Sequence, residues 1–152
     1  MQLTMNIMHK QSGFSMLEAL ITLLIVSLGL LGIAGIIANS LKVNQGAQAR
    51  SQASWLANDI IDRMRANRTT AETTPAAYTL AGCDAIPAVN LVATADLTQW
   101  CAAVTAALPA STGSVVLAAN KVTVTVDWDD SSRLEGDAVV DGSGTFVVET
   151  RL

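Results

Sequence analysis

The sequence predicts an α+β fold in which a long N-terminal helix packs on a small antiparallel sheet of three or four strands, with one additional short helix. Three features carry this prediction. The segment from Ala19 to Ala38 has no charged residue and no proline, the apolar residues after it recur every four positions, and the C-terminal third alternates apolar and polar residues. A length of 152 residues suits one domain with an appendage.

Charge and composition narrow the classes of function. Nine basic and thirteen acidic residues give a formal net charge of −4, and no cluster of Lys or Arg follows Arg68. Nucleic-acid binding needs a basic stripe, so we expect no nucleic-acid partner. One histidine, His9, and two cysteines are too few for a tetrahedral zinc site, and we expect no metal and no cofactor.

The most specific motif lies at the N-terminal junction. A Lys-Gln-Ser-Gly segment ends at Gly13, and Phe-Ser-Met-Leu-Glu-Ala-Leu follows from Phe14 into the apolar segment. This string resembles the class III leader of type IV prepilins and type II secretion pseudopilins. The resemblance implies that residues 1–13 are a leader removed by the prepilin peptidase, that Phe14 becomes an N-methylated N-terminus, and that Glu18 helps subunits to join a fibre. A usable leader would begin at any of three methionines, Met1, Met5 or Met8.

The physics of a buried carboxylate supports the role of Glu18 independently. A charged side chain in an apolar helix is costly unless it finds a partner. Cleavage would free a positive amine at Phe14, and Glu18 of another subunit could neutralise it, which would couple processing to assembly. The alternative is a membrane-anchor carboxylate that reaches the lipid headgroups. Helical spacing places Glu18 on one face with Phe14, Ile21, Thr22 and Ile25.

Two other interpretations of the N-terminus are open to the sequence. A secretory signal peptide would be cut after the Ala-Gln-Ala triplet at 47–49, but the apolar segment exceeds the usual length of roughly 7–15 residues and ends well before the triplet. An unprocessed bitopic membrane protein is the second. The positive-inside rule gives it little support, since Lys10 on one flank is balanced by Lys42 and Arg50 on the other.

One helix is predicted from Met16 to Ala66, roughly 75 Å at 1.5 Å per residue. Residues 14–38 are long and apolar enough to form a transmembrane and fibre-core segment. Three small residues in it could weaken the helix, allow close helix packing or reflect ordinary glycine usage: Gly29, Gly32 and Gly35.

Residues 39–68 are predicted to continue the helix with one apolar face. Asp59 and Arg63 form an i,i+4 pair of favourable orientation. The Arg-Met-Arg-Ala-Asn-Arg segment at 63–68 ends the helix, where basic side chains interact favourably with the helix dipole. The apolar face comprises Leu56, Ile60 and Met64, with Trp55 and Ile61 beside them.

Residues 69–152 are predicted to form a periplasmic globular domain. The Thr-, Ala- and Pro-rich segment 69–87 indicates an irregular loop. A second helix is predicted to begin at Asp96, with Gln99 as its capping-box partner, and to end at Pro109. Its apolar face contains Leu97, Trp100, Cys101, Val104 and Leu108, with the indole as a core group.

Two cysteines in an extracytoplasmic domain predict one disulfide, between Cys83 and Cys101. Its loop of about 19 residues would contribute roughly 3 kcal/mol of stability. The alternative is a pair of buried free thiols. A redox role would need a closer pair, such as C-x-x-C.

The C-terminal third predicts the sheet. A half-buried strand alternates with Val122, Val124, Val126 and Trp128 on one face. The segment 115–117 is its expected hairpin partner, and 146–151 forms a further strand after a turn at 141–144. The pattern predicts a sheet of three or four strands in total.

An acidic cluster in this region invites a calcium interpretation, which its spacing does not support. Counted from Asp127, the sixth position is Ser132 rather than Gly and the twelfth is Ala138 rather than Glu. No nucleophile motif is present, and without His9 a processed chain has no imidazole base, so we expect no enzyme activity. The cluster comprises Asp127, Asp129, Asp130, Glu135, Asp137 and Asp141.

Three further segments, at 63–68, 97–100 and 127–130, resemble the minor pilins called type IV pilus modification protein, PilV. The resemblance implies a subunit of the pilus or of its tip-priming complex, with motility and attachment as downstream roles. It implies partners in other minor and major pilins through the N-terminal helix, in the prepilin peptidase and in the inner-membrane assembly platform. It also places the chain across the inner membrane once, with the C-terminal domain in the periplasm, and then in an extracellular fibre. The alternatives are a minor pseudopilin of type II secretion and a membrane-anchored periplasmic binding domain.

Overall fold

The computed structural model describes residues 15–118, 121–131 and 142–152. Contacts divide the chain into two compact units, Met1–Leu41 and Lys42–Leu152. The described residues form helices α1 Met16–Ala66, α2 Arg68–Thr73 and α3 Leu91–Ala107, a 3₁₀ turn Pro75–Ala77, and strands β1 Thr112–Ala118, β2 Lys121–Asp129 and β3 Ser143–Arg151.

The first helix has the bounds that the sequence predicts, Met16 and Ala66. The predicted apolar face is also confirmed, because the second part of the helix buries one side in the core of the Lys42–Leu152 unit. Trp55 was expected beside this face, and that expectation is wrong: its side chain is 68% exposed. Successive residues are about 100° apart around a helix, which turns Trp55 away from the buried side. The buried positions are Ala53, Leu56, Ala57, Ile60, Ile61 and Met64.

The segment predicted as an irregular loop, 69–87, is partly helical. Helix α2 follows α1 after one residue, with Arg68 paired to Glu72 one turn later at 2.6 Å. Proline at the start of the 3₁₀ turn suits a position whose backbone N–H needs no partner. Ala71 and Ala77 are buried in the core, which accounts for the regular structure of this segment, since tertiary packing can override a composition that favours loops.

Helix α3 begins five residues before the predicted start. Its N-cap is Asn90, whose side-chain oxygen accepts from the backbone N–H groups of Val92 (3.0 Å) and Ala93 (3.2 Å). Asp96 therefore lies within the helix and caps nothing. The predicted end is nearly correct, because Leu108 forms the C-cap immediately before Pro109.

The described residues form one sheet of three antiparallel strands, in the order β1-β2-β3. Register pairs Val115 with Val124 and Val124 with Val148, so these three share one face. The predicted hairpin between β1 and β2 is confirmed. The third strand begins at Ser143, within the predicted turn, because Gly144 already pairs with Trp128.

One hydrophobic core joins the second part of α1, helix α3 and the inner face of the sheet. Trp100 is fully buried in it, as predicted, and its indole N–H donates to the carbonyl of Leu56 at 2.8 Å. The predicted α+β class is therefore confirmed, with three strands. The single additional short helix is replaced by two helices and a 3₁₀ turn.

Candidate functional site

Helix α1 begins at Met16, three residues after Gly13, the predicted cleavage position. The Ser15 hydroxyl accepts from the backbone N–H of Leu17 at 3.3 Å, and the Ser15 carbonyl accepts from Ala19 at 3.2 Å. A serine before the first helical residue satisfies free N–H groups of the first turn. Gly13 and Phe14 lie outside the described residues, so cleavage and methylation at these positions stay predictions.

Glu18 lies in the first turn of α1, with its side chain exposed. A carboxylate there interacts favourably with the positive end of the helix dipole. Its carboxylate has no hydrogen bond or ion pair with another residue of the described part of the chain. The assembly role of Glu18 stays a prediction.

The helix surface after Glu18 is apolar on all sides. Every Leu, Ile, Val and Met from Met16 to Leu41 is at least half exposed. The hydroxyls in this stretch are satisfied within the helix, since Thr22 donates to the Glu18 carbonyl and Ser27 to the Leu23 carbonyl, each at 2.6 Å. By length and composition α1 can cross a membrane, which indicates membrane anchoring.

The three glycines of this stretch pack against no other element among the residues that the structure describes. Apart from its chain neighbours and the nearby helix backbone, a methyl group placed on any of them would meet no described atom within 4 Å. Close approach inside this chain therefore does not require glycine there, whereas close approach of another helix would use it. The residues concerned are Gly29, Gly32 and Gly35.

The Lys42–Leu152 unit contains the predicted disulfide between Cys83 and Cys101, with a Cα–Cα distance of 5.6 Å. Cys101 lies in α3 and is almost completely buried, whereas Cys83 lies in the segment that precedes this helix. The bridge ties that segment to the helix and so to the core.

A polar cluster links α1 to α3 in the same unit. The Arg63 guanidinium contacts the Asp59 carboxylate at 3.0 Å, the predicted helical pair, and also reaches the side chains of Gln99 at 3.0 Å and Asp96 at 3.5 Å. Each such pair contributes little by itself because the groups remain partly hydrated. Together, these contacts orient α3 on α1.

Tyr78 extends this cluster into the core. Its buried hydroxyl donates to Asp96 at 2.7 Å and accepts from the Asn67 amide at 3.1 Å. Burial, followed by the hydrogen bond to Asp96, raises the pKa of Tyr78 to about 12. Sequence patterns did not indicate Asn67 or Tyr78, because no local periodicity marks a contact between distant segments.

The acidic residues at the end of β2 bind neighbouring protein groups. Asp127 accepts from the Thr145 hydroxyl at 2.7 Å, and Asp129 accepts from the Ser131 N–H at 2.8 Å. That backbone hydrogen bond lowers the pKa of Asp129. Among the described residues, no group of three or more His, Cys, Asp or Glu side chains is arranged to hold a metal ion. Glu135, Asp137 and Asp141, also assigned to the cluster, lie outside the described residues.

Residues 8–34 match a family model described as the prokaryotic N-terminal methylation motif. None of the curated proteins and none of the solved structures compared with the chain matches it. The match covers the predicted junction at Gly13 and Phe14, together with Glu18 and most of the apolar segment. This motif overlaps the start of a long apolar helix, and it supports a type IV prepilin-like protein.

Proposed function

We propose that this chain is a minor pilin of a type IV pilus, similar to the PilV type, with a structural role rather than an enzymatic one. The prepilin peptidase cuts after Gly13, Phe14 is methylated, and the processed subunit enters the pilus or its tip-priming complex. Motility and attachment depend on it indirectly. The observation that carries the proposal is the methylation motif at 8–34, which runs directly into a helix with an exposed apolar surface.

The apolar surface supports membrane storage followed by helix packing. A side chain such as Leu gains about 1.5–3 kcal/mol when it leaves water, so a helix with its apolar residues exposed on all sides needs a lipid or protein environment. The inner membrane supplies the first environment, and the helices of other minor and major pilins supply the second. Glycines without an internal packing role favour close contact in that helix assembly.

Glu18 supports coupling between processing and assembly. Its carboxylate is unpaired within the described chain, and an unpaired charge is expensive in an apolar environment. The amine freed at Phe14 of a neighbouring subunit is the partner we assign to it. The periplasmic unit then presents its surface to neighbouring subunits and to the assembly platform.

The first experiment determines the mature N-terminus. Mass spectrometry of the protein from native membranes should find a chain that begins at Phe14 and carries one additional methyl group. As the control, cells without prepilin peptidase should yield no chain that begins at Phe14. A chain that retains residues 1–13 would contradict the proposal and leave the membrane-anchored binding domain as the better description.

The second experiment tests the carboxylate. Glu18→Ala should remain inserted and processed but be absent from sheared surface fibres. Thr22→Ala is the matched control, because it lies one turn later and its hydroxyl bonds only to the Glu18 carbonyl of its own helix. Normal fibre incorporation of Glu18→Ala would refute the assembly role.

If cells that carry Glu18→Ala lose protein secretion while their pili stay intact, the chain would instead be a pseudopilin of type II secretion.

A further inference from the structure

The segment 79–87 lies along the outer edge of β1, on the side that faces away from β2, and we call it the strap. Leu80 of the strap and Val115 of β1 exchange two backbone hydrogen bonds, each 2.8 Å long. Further along, the Sγ atom of Cys83 lies 3.8 Å from the carbonyl oxygen of Gly113. Covering a sheet edge with a loop is one way in which proteins prevent that edge from pairing with other chains.

The two ends of the strap are attached by hydrogen bonds, and its middle is attached by the disulfide. Before the strap, Tyr78 is fixed by its hydrogen bonds to Asn67 and Asp96. Near the other end, the carbonyl of Pro87 accepts from the Thr94 hydroxyl at 2.8 Å. Between Leu80 and Pro87, the covalent bond to α3 is the main attachment, because three of the intervening side chains are exposed: Ala81, Asp84 and Ala85.

We propose that the Cys83–Cys101 disulfide is a lock that holds the strap over the outer edge of β1. When the bond is reduced, the strap opens locally and uncovers Val115, while α3 and the pairing of β1 with β2 keep their structure. This inference goes beyond the proposed function, because it uses only the Lys42–Leu152 unit and does not require processing at Gly13.

The distribution of buried side chains explains why the opening is local. In α3, Trp100 and Val104 are fully buried, so this helix stays in the core without the bond. From position 81 to position 87 the strap contributes only Cys83 and Ile86 to the core, and both are partly buried. Segments with few buried apolar contacts open at a lower free energy than the core does. Loss of the bond therefore affects the strap more than the rest of the unit.

The two sulfur atoms differ in accessibility, which determines where the lock is opened. Cys101 is 6% exposed within α3, whereas Cys83 is less deeply buried on the strap. The reductant is an external thiol, whose thiolate attacks the Sγ atom of Cys83. A mixed disulfide forms, the Cys83–Cys101 bond breaks, and the electron pair leaves on the sulfur of Cys101, which takes up a proton. A second external thiolate then attacks the external sulfur and releases Cys83 as a thiol.

Amide hydrogen exchange of the full chain in detergent, followed by NMR before and after reduction, tests the local opening. Both backbone groups of Val115 bond to the strap, so the alternation of an antiparallel ladder directs the amides of Ser114 and Val116 to β2. On reduction, the exchange rate of Val115 relative to Ser114 and Val116 should rise at least about tenfold. If the disulfide only stabilises the whole unit, all three rates rise by the same factor, and an unchanged ratio would overturn the proposal.

Two variants provide the controls. Chains with Cys83→Ser and Cys101→Ser together should show the ratio of the reduced chain without any reductant. Val104→Ala is the matched control, because it destabilises the core at α3 while the lock stays intact, and its ratio should equal that of the oxidised wild type. A raised ratio in Val104→Ala would overturn the proposal. So would the loss of cooperative unfolding in both the reduced chain and the double variant, because the bond would then hold the whole unit.

The accessibility of the two thiols has its own test. After reduction and removal of the reductant, N-ethylmaleimide should label Cys83 of the folded chain at least about tenfold faster than Cys101, as measured by mass spectrometry of peptides. In denaturant, the two labelling rates should become similar. Equal labelling of both cysteines in the folded chain, or faster labelling of Cys101, would overturn the assignment of the strap as the part that opens.

Discussion

Gly113 should not tolerate even one added methyl group. The residue lies in β1, directly under the ring of Trp100. A Cβ built at Gly113 would lie 2.4 Å from Cη2 and 2.7 Å from Cζ3 of that ring. Carbon atoms pack at about 3.5–4.0 Å, so the indole would have to move by about 1 Å or more in Gly113→Ala.

The expected loss in the free energy of unfolding depends on the contacts that hold the indole on its other side. Trp100 is fully buried, and its N–H donates to the Leu56 carbonyl at 2.8 Å. Overpacking a well-packed core costs about 1–3 kcal/mol. Displacement that breaks the buried hydrogen bond adds about 1–3 kcal/mol, because donor and acceptor then lack partners. We expect Gly113→Ala to lower the free energy of unfolding by about 3 kcal/mol.

The assay is denaturant unfolding of the full chain in non-ionic detergent, followed by indole fluorescence and far-UV circular dichroism. Gly82→Ala is the matched control, because a methyl group there would meet only the Thr112 hydroxyl oxygen, at the ordinary contact distance of 3.8 Å. It should change the free energy of unfolding by less than about 0.5 kcal/mol. Equal stabilities of Gly113→Ala and Gly82→Ala would refute the assigned packing of Trp100 on β1.

Three further changes test the same unit. Replacing Cys83 and Cys101 by serine should lower the free energy of unfolding by about 3 kcal/mol through loss of the loop constraint, and reductant should have no further effect on the double variant. The raised pKa of Tyr78, about 12, implies that its contribution to stability is complete below pH 10 and is lost as the pH rises through 12. Wild-type stability should therefore fall between pH 10 and 12 more steeply than that of Tyr78→Phe, and parallel curves would contradict this. Asn90→Ala should cost about 1 kcal/mol, measured by the same denaturant unfolding, because two N–H groups of α3 lose their acceptor; an unchanged midpoint would contradict the N-cap assignment.

Regular periodicity made much of the fold predictable. The bounds of α1 and the buried face of β2 follow from spacing of apolar residues, because a helix or strand that covers a core must repeat its apolar positions. Trp55 shows the limit of that argument. This apolar residue is next to the buried face in sequence and was assigned to that face, but its angular position on the helix directs its side chain outward. The start of α3 was misplaced for a related reason. Asp96 has the right chemistry for an N-cap, but Asn90 occupies the position where free N–H groups are available.

The N-terminal site was predictable in a different way. Gly13, Phe14 and Glu18 lie in one short stretch of sequence, which the family match covers, whereas cleavage, methylation and the assembly role stay predictions. The polar cluster around Arg63 and Tyr78 has no such signature. Members in direct contact are up to 36 residues apart, and only the packing of α3 on α1 brings them together.

The sequence by itself determined the leader motif, the long apolar helix, the alternating strand and the cysteine pair, because each depends on composition or on spacing along one element. The tertiary structure decided which residues lie opposite one another: Trp100 over Gly113, Tyr78 between Asn67 and Asp96, and β3 beside β2 at one edge of the sheet. The physical reason is that these contacts depend on the packing of separate elements. Their local sequences allow many arrangements, and only the shared core selects one of them.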